Sequence, residues 1–365
     1  MLLKLAILIC FISASFCLLL IIISKKNNSL LDQVHGIQKV HRQSVARVGG
    51  IGIFFSFLIG INVLSIKNNN PSYIYLLVSL LPIVLIGFYE DIKKKVGPIC
   101  RLDISFLSAL LAVMLLGSLI ERTGITVLDF LVRSKIVGAT FACIAIAGVT
   151  NAINIIDGMN GLSSGTSIVL FAAIGYIAFK FQDFFILSVV VVTAAAILGF
   201  FIWNYPYGRI FLGDGGAYFI GFVLAVSSIL LVNRNNQVSP WFPILILIYP
   251  AFETLFTIYR RKYLKKRSPV YPDNLHLHSL FYRRVVPVIF NNGHNVVTQN
   301  AMTSPLIWGL SVISVVPAVI FVDNTFALIL FTILFVLLYI FLYKSIVCFK
   351  IGHLIKRTVN SKSAS

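Results

Sequence analysis

The chain has 365 residues, of which 58% are hydrophobic and only 12% charged, with a mean hydropathy of +0.94. Soluble domains carry about a quarter of their residues charged, so an ordinary water-facing surface is excluded and most of the exterior must face lipid. The formal net charge of +18 comes from 30 Lys and Arg against 12 Asp and Glu. In such a chain it points to basic cytoplasmic loops rather than to nucleic acid. Cys10, Cys17, Cys100, Cys143 and Cys348 form no Cys-x-x-Cys pair, and their spacing suggests neither disulfides nor zinc.

In chain order, apolar runs fall at 2–24, 49–66, 73–88, 104–120, 127–149, 167–179, 184–203, 217–232, 241–258, 305–321 and 326–343. Runs of this length predict an all-α, polytopic membrane protein with about 11 transmembrane helices. The first run is followed by Ser24-Lys25-Lys26-Asn27-Asn28 rather than a small-x-small cleavage site, so an anchor is expected there and not a cleaved signal. Loops after odd-numbered spans, with the C-terminal tail, hold 23 of the 30 Lys and Arg, including Lys93-Lys94-Lys95 and the run 260–267. The positive-inside rule then puts the N-terminus outside and the C-terminus in the cytoplasm. No internal repeat or soluble domain is visible. The expectation is one transmembrane domain over 1–365, with cytoplasmic loops at about 25–48, 89–103, 150–166, 204–216 and 259–304.

The unusual residues concentrate in those loops. The first carries Lys39, His41 and then Arg47-Val48-Gly49-Gly50; the second follows Gly87-Phe88-Tyr89-Glu90-Asp91. The third contains Asn151, Asn154 and Asp157 at spacings of three, one polar stripe if the segment is helical. Polar groups there extend a strongly apolar run, where they are costly without a purpose. Gly158 and Gly161 next break the helix and let a ligand approach the backbone. The fourth, Gly213-Asp214-Gly215-Gly216, sets a carboxylate in a glycine turn ahead of an apolar helix. Amides there can receive a phosphate oxygen while the carboxylate holds a metal. The fifth has His276-Leu277-His278, whose alternation suits an extended face and whose basic neighbours favour phosphate contact over zinc. Each cluster also has a plain structural alternative: a solvated helix end, a polar seam between helices, or a turn with an Asp cap. Carboxylates, histidines and basic groups together at one membrane edge are the equipment for phosphoryl transfer with magnesium, manganese being the alternative cation.

The motif order resembles the polyprenyl-phosphate N-acetylhexosamine-1-phosphate transferases, the glycosyltransferase 4 group. The Asn-x-x-Asn-x-x-Asp-Gly-x-x-Gly-Leu stretch from Asn151 to Leu162 carries most of that resemblance, with Lys39-x-His41, Phe211-x-Gly213-Asp214-x-Gly216 and His276-x-His278. Eleven spans with an outside N-terminus look most like the branch initiating enterobacterial common antigen and O-antigen. The resemblance implies transfer of a sugar 1-phosphate from a UDP-sugar to polyprenyl (undecaprenyl) phosphate, giving polyprenyl-diphosphate-sugar and UMP, at the cytoplasmic face of a bacterial inner membrane. It implies Glu90 and Asp91 at the lipid phosphate, with the principal role at Asp91. It also implies a catalytic Asp157 that matches, with Asn154, the nucleotide site, with Lys39, His41, Asn151, Asn160, Gly161, His276 and His278 at substrate and Asp214 on magnesium. Glu90 stands where the family has Asp, Asn160 where it has a second Asp, and Ser279 where it has a third His. The expected partners are UDP-sugar, polyprenyl phosphate and membrane lipid, with a homodimer compatible with the sequence and no nucleic acid. A transporter or flippase, or a non-catalytic lipid-phosphate-binding homologue, is the competing reading.

Overall fold

In hydrocarbon every backbone N–H and C=O must be satisfied within the chain, which leaves long apolar segments no option but helix. The computed structural model describes residues 1–26, 31–32, 44–264, 275–290 and 296–348. Lys39 and His41 lie outside the described residues. The elements in order are α1 (Leu2–Ser24), β1 (Leu31–Asp32), β2 (Val45–Ala46), α2 (Gly49–Asn68), α3 (Ser72–Lys93), α4 (Pro98–Leu116), α5 (Thr126–Val132), α6 (Lys135–Ile156), α7 (Leu162–Lys180), α8 (Phe184–Asn204) and α9 (Gly213–Arg234). After these come α10 (Trp241–Ile246), α11 (Ile248–Tyr259), α12 (Leu277–Leu280), α13 (Val286–Ile289), α14 (Val296–Ile320) and α15 (Thr325–Val347). Among the described residues ten helices are long and apolar enough to cross a membrane.

The expected span at 241–258 is the exception, because it is broken into α10 and α11 at Leu247. Pro250 has no N–H to give to the carbonyl one turn earlier, so the helical ladder cannot run through. The segment 127–149 is also not one span: α5 ends before Arg133-Ser134, and the crossing helix α6 runs to Ile156. That extension makes the Asn151 stripe helical and leaves Asp157 at its cap.

Helix α9 is the axis of the bundle. It is apolar on all sides and buried almost throughout, from Gly213 to Val232. Helices α2, α3, α6, α7 and α8 surround it, and Gly87 on α3 lies directly against Gly215. At the rim, α1 exposes Leu3, Ile7 and Phe11 on one face, as a lipid-facing helix should.

A short backbone seam fixes one end of the bundle. Strand β2 pairs antiparallel with β1, and Ala46 bridges to Ile210. Phe211 N donates to Ala46 O at 2.8 Å, Gly49 N to Phe211 O at 2.9 Å and Gly50 N to Leu212 O at 2.8 Å. The start of α2 is thereby stitched to the start of α9. All five motif clusters with described residues lie at this end. At the other end Arg122 donates to the carbonyls of Val232, Asn235, Asn236 and Val238, closing the C-terminus of α9. Asp183 pairs with Arg234 at 2.7 Å beside it.

The charge asymmetry makes an orientation prediction. In a background with exposed Cys100 and Cys348 changed to Ser, a membrane-impermeant maleimide should label Asn69→Cys and Gln237→Cys in intact cells. Lys94→Cys should react only after permeabilisation. The opposite pattern would invert the threading.

Candidate functional site

The site is assembled where α3 and α6 end and α2, α4 and α9 begin. Asp91, in the last turn of α3, is 4% exposed. Its Oδ1 accepts from Asp214 N at 2.7 Å and its Oδ2 from Gly215 N at 3.0 Å. An anion thus sits on the N-terminus of α9, where unsatisfied amides and the helix dipole favour it. Gly213 has φ +80°, and a Cβ there would lie 2.5 Å from Asp91 Oδ2, so the clasp requires glycine on both counts. The amides of Asp214 and Gly215 are therefore taken by Asp91, contrary to the expectation that they await a phosphate oxygen.

Asp214 lies inside the first turn of α9 rather than in a turn before it. Its carboxylate pairs with the Arg47 guanidinium on one oxygen and with Arg101 Nη1 at 2.8 Å on the other. Arg47 Nε also stands 3.4 Å from Asp91 Oδ1. Arg47 arrives on the β2–α2 seam and Arg101 on the first turn of α4. Arg47 thus bridges carboxylates brought from α3 and α9, and Arg101 adds a second cation on Asp214.

Asp157 caps α6, and its side chain makes no hydrogen bond among the described residues. Burial pushes its carboxyl up to about 7; Arg47 opposes that shift and Asp214 adds to it. One turn earlier, the Asn154 side chain lies beside the Tyr218 hydroxyl of α9. Gly158 follows Asp157, and a Cβ there would lie 2.5 Å from His278 Nε2. The absence of a side chain at Gly158 is what lets His278 reach this point.

His276 and His278 open the short helix α12 rather than alternating along a strand, and their rings stack in parallel with centroids 5.4 Å apart. Burial holds the His278 imidazole down to about 3, so it is neutral at physiological pH. His276 Nδ1 lies 3.0 Å from Glu253 Oε1.

With that geometry in place the chain can be set beside known proteins. The glycosyl transferase family 4 pattern matches residues 73–232. A probable undecaprenyl-phosphate N-acetylglucosaminyl 1-phosphate transferase of Bacillus subtilis is 30% identical over 265 residues, covering 69% of this chain and 72% of the relative. An undecaprenyl-phosphate alpha-N-acetylglucosaminyl 1-phosphate transferase of Thermotoga maritima is 28% identical over 260 residues, 71% of this chain and 75% of its own. A phospho-N-acetylmuramoyl-pentapeptide-transferase of Lactobacillus acidophilus is 32% identical over 191 residues, 50% of this chain and 58% of the relative. The chain belongs to glycosyl transferase family 4. It is a phosphotransferase of the polyprenyl-phosphate hexosamine-1-phosphate type.

The remaining motif residues each make a contact within the fold. Glu90 is half-buried and accepts from Val96 N at 2.8 Å, closing the loop after α3. Asn151 donates to Ala147 O at 2.8 Å and to Ser105 Oγ at 3.3 Å, facing α4. Asn160 is 7% exposed; its amide donates to Pro206 O at 3.0 Å and its backbone N to Asn300 Oδ1 at 2.7 Å. A carboxylate at position 160 could not make the first of these bonds, which gives the departure from Asp a local reason. Gly161, with φ +75°, donates to Asn204 Oδ1 at 2.7 Å and starts α7.

Sequence reasoning noted Arg47 within a motif but gave it no role, and did not single out Arg101 or Glu253. A signal existed for each: Arg47 stands beside a glycine pair, Arg101 just after a Gly-Pro helix start, and Glu253 is the sole acidic residue of the run 241–259.

Two predictions follow from the geometry. Asp91→Asn places an NH₂ against a backbone donor of α9, so it should lower stability by about 1–3 kcal/mol. It should also cut turnover on the order of a hundredfold or more. Glu90→Asp loses only a loop bond and should be tolerated; a Glu90→Gln worse than Asp91→Asn would reverse the assignment.

The second concerns Asp157, whose folded value of about 7 exceeds its ordinary 3.8. A raised carboxyl favours the fold while protonated, so this contribution is lost as pH rises from 3.8 through 7. Asp157→Asn should therefore gain thermal stability relative to wild type between pH 5 and pH 8 in ligand-free micelles. A flat difference would show that Asp157 titrates normally.

Proposed function

We propose that the protein transfers an N-acetylhexosamine 1-phosphate from a UDP-sugar to undecaprenyl phosphate on the cytoplasmic side of a bacterial inner membrane. This would be the first membrane step of a cell-surface polysaccharide. The observation that carries the reading is the convergence of Asp91, Asp157 and Asp214 with Arg47 and Arg101 at one end of a lipid-facing bundle. His278 meets the same place through Gly158. The named relatives from Bacillus subtilis and Thermotoga maritima act on undecaprenyl phosphate and N-acetylglucosaminyl 1-phosphate, which supports the same lipid and sugar class here.

In this reaction a lipid phosphate oxygen attacks the β-phosphorus of the UDP-sugar. The bond from that phosphorus to the bridging oxygen breaks, and UMP leaves with the electron pair. The lipid phosphate has a second pKa of about 6, so it is already largely anionic at neutral pH and needs orientation more than deprotonation. Arg47 and Arg101 supply positive charge for the phosphates. Neutral His278, buried at Gly158, can donate one hydrogen bond to the diphosphate. Asp91 holds the start of α9, and hence Asp214, through hydrogen bonds to both its oxygens.

The donor set suits magnesium. Among the described residues no three Asp, Glu, His or Cys side chains converge to hold a metal by themselves. A magnesium site typically takes one or two carboxylates and completes its shell with substrate phosphates and water. Asp214, with Asp157 alongside, would hold the ion. When bound, it would neutralise charge developing on the phosphates.

Washed membranes supplied with undecaprenyl phosphate, magnesium and a panel of UDP-sugars should release UMP only when lipid and one sugar nucleotide are both present. Chelation should stop release, and Asp214→Ala should abolish it with little rescue by added magnesium. Lipid-independent UMP release, or none with any sugar nucleotide, would overturn the reading.

A further inference from the structure

A carboxylate inside an apolar membrane-level segment is costly, and it persists where partners compensate and a use exists. Glu253, on α11, is 1% exposed. Its Oε1 lies 3.0 Å from His276 Nδ1, and its Oε2 accepts from Tyr339 OH of α15 at 2.6 Å. Both oxygens lie 3.3 Å from Leu277 N, the first amide of α12, and Thr257 Oγ1 reaches Oε1 at 3.5 Å. One carboxylate therefore grips a side chain and the adjoining backbone of the same tripeptide.

The grip has directional consequences. Facing a carboxylate, the Nδ1 of His276 carries the proton, leaving Nε2 as the nitrogen open to a ligand. The His276 ring lies parallel to that of His278, only 3° apart in plane. His278 in turn is 3% exposed, abuts Gly158, and has a buried Nδ1 with no partner among the described residues. The preceding carbonyl, Leu275 O, is pinned from the same side by Arg260 Nη1 at 2.6 Å and Tyr343 OH at 3.3 Å. Tyr339 and Tyr343 stand one turn apart on α15, so the last helix backs the whole arrangement.

We propose that Glu253 is a positioning residue: backed by Tyr339, it sets the tautomer of His276 and the backbone of α12, and so presents His276 and His278 to the diphosphate of the sugar nucleotide. This rests on the transferase reading above. Glu253 touches no reacting atom; its effect passes through the histidines.

Two measurements test it. In kinetics on the full-length protein, Glu253→Gln should lower kcat/KM for the UDP-sugar by about 10–100-fold. The loss should fall on the UDP-sugar KM and leave the undecaprenyl-phosphate KM unchanged. In a His276→Ala background the same substitution should change kcat/KM by less than about twofold, since the two residues act as a unit. Equal losses in both backgrounds would overturn the proposal. If Glu253→Gln does not fold, Tyr339→Phe takes its place, with a smaller loss that also vanishes when His276 is Ala. The second readout needs no substrate: ring ¹⁵N spectra of histidine-labelled protein should show a protonated Nδ1 at His276 in wild type, displaced in Glu253→Gln. A spectrum indifferent to Glu253 would overturn the positioning role even if turnover fell. A wild type that releases no UMP yet shows the Glu253-dependent ring signal would refute the transferase reading and leave the tautomer assignment standing.

Discussion

The carboxylate of Asp91 closes the N-terminus of α9, and the geometry of the site descends from that contact. A helix surrounded by protein has no water to satisfy its first amides. Hydrogen bonds to a charged acceptor contribute about 1.5–3 kcal/mol each in proteins, so the two from Asp214 N and Gly215 N form a strong junction between α3 and α9. Arg122 receives the carbonyls at the far end of the same helix. The macrodipole of α9 is thus met by an anion at its start and a cation at its finish. Asp214, one residue into the clasped turn, has its depth set as a result.

Three carboxylates crowded at a helix junction would repel one another without cations. Arg47 and Arg101 provide them, and each depends on a different local device. Arg47 is carried by the seam that ties residues 46–50 to 210–212, and Arg101 by the Pro98 start of α4. Three carboxylates against two guanidinium groups leave one negative charge in excess. That balance is in keeping with the hard cation and anionic phosphates proposed above.

The histidine loop reaches this centre by a separate route. Breaking the span at Leu247 creates α11 as an independent helix, and α11 carries Glu253 to the level of α12. Helix α15 closes the far side with Tyr339. The site therefore rests on two anchored carboxylates, Asp91 for the α9 side and Glu253 for the histidine side. They meet where His278 lies on Gly158.

The sequence alone determined the membrane class, ten of the expected crossings and the family. Apolar run length and motif spacing are local properties, readable without knowing what packs against what. The Asn151–Asn154–Asp157 stripe and the Gly213–Asp214 motif were visible in the same way, because helical period and glycine placement are written in consecutive residues. The broken helix at Leu247 was partly visible, since Pro250 was in plain sight but its effect competes with the pull of an apolar run. What only the tertiary structure decided was which groups share a charge. That Asp91 accepts from the first amides of α9, that Asn151 and Asn160 hydrogen-bond Ser105 and Pro206, and that Glu253 pairs with His276 are contacts across 123, 46 or 23 residues. Hydrogen bonds and ion pairs at such separations follow from how helices pack around α9, and no local pattern of residue types encodes them.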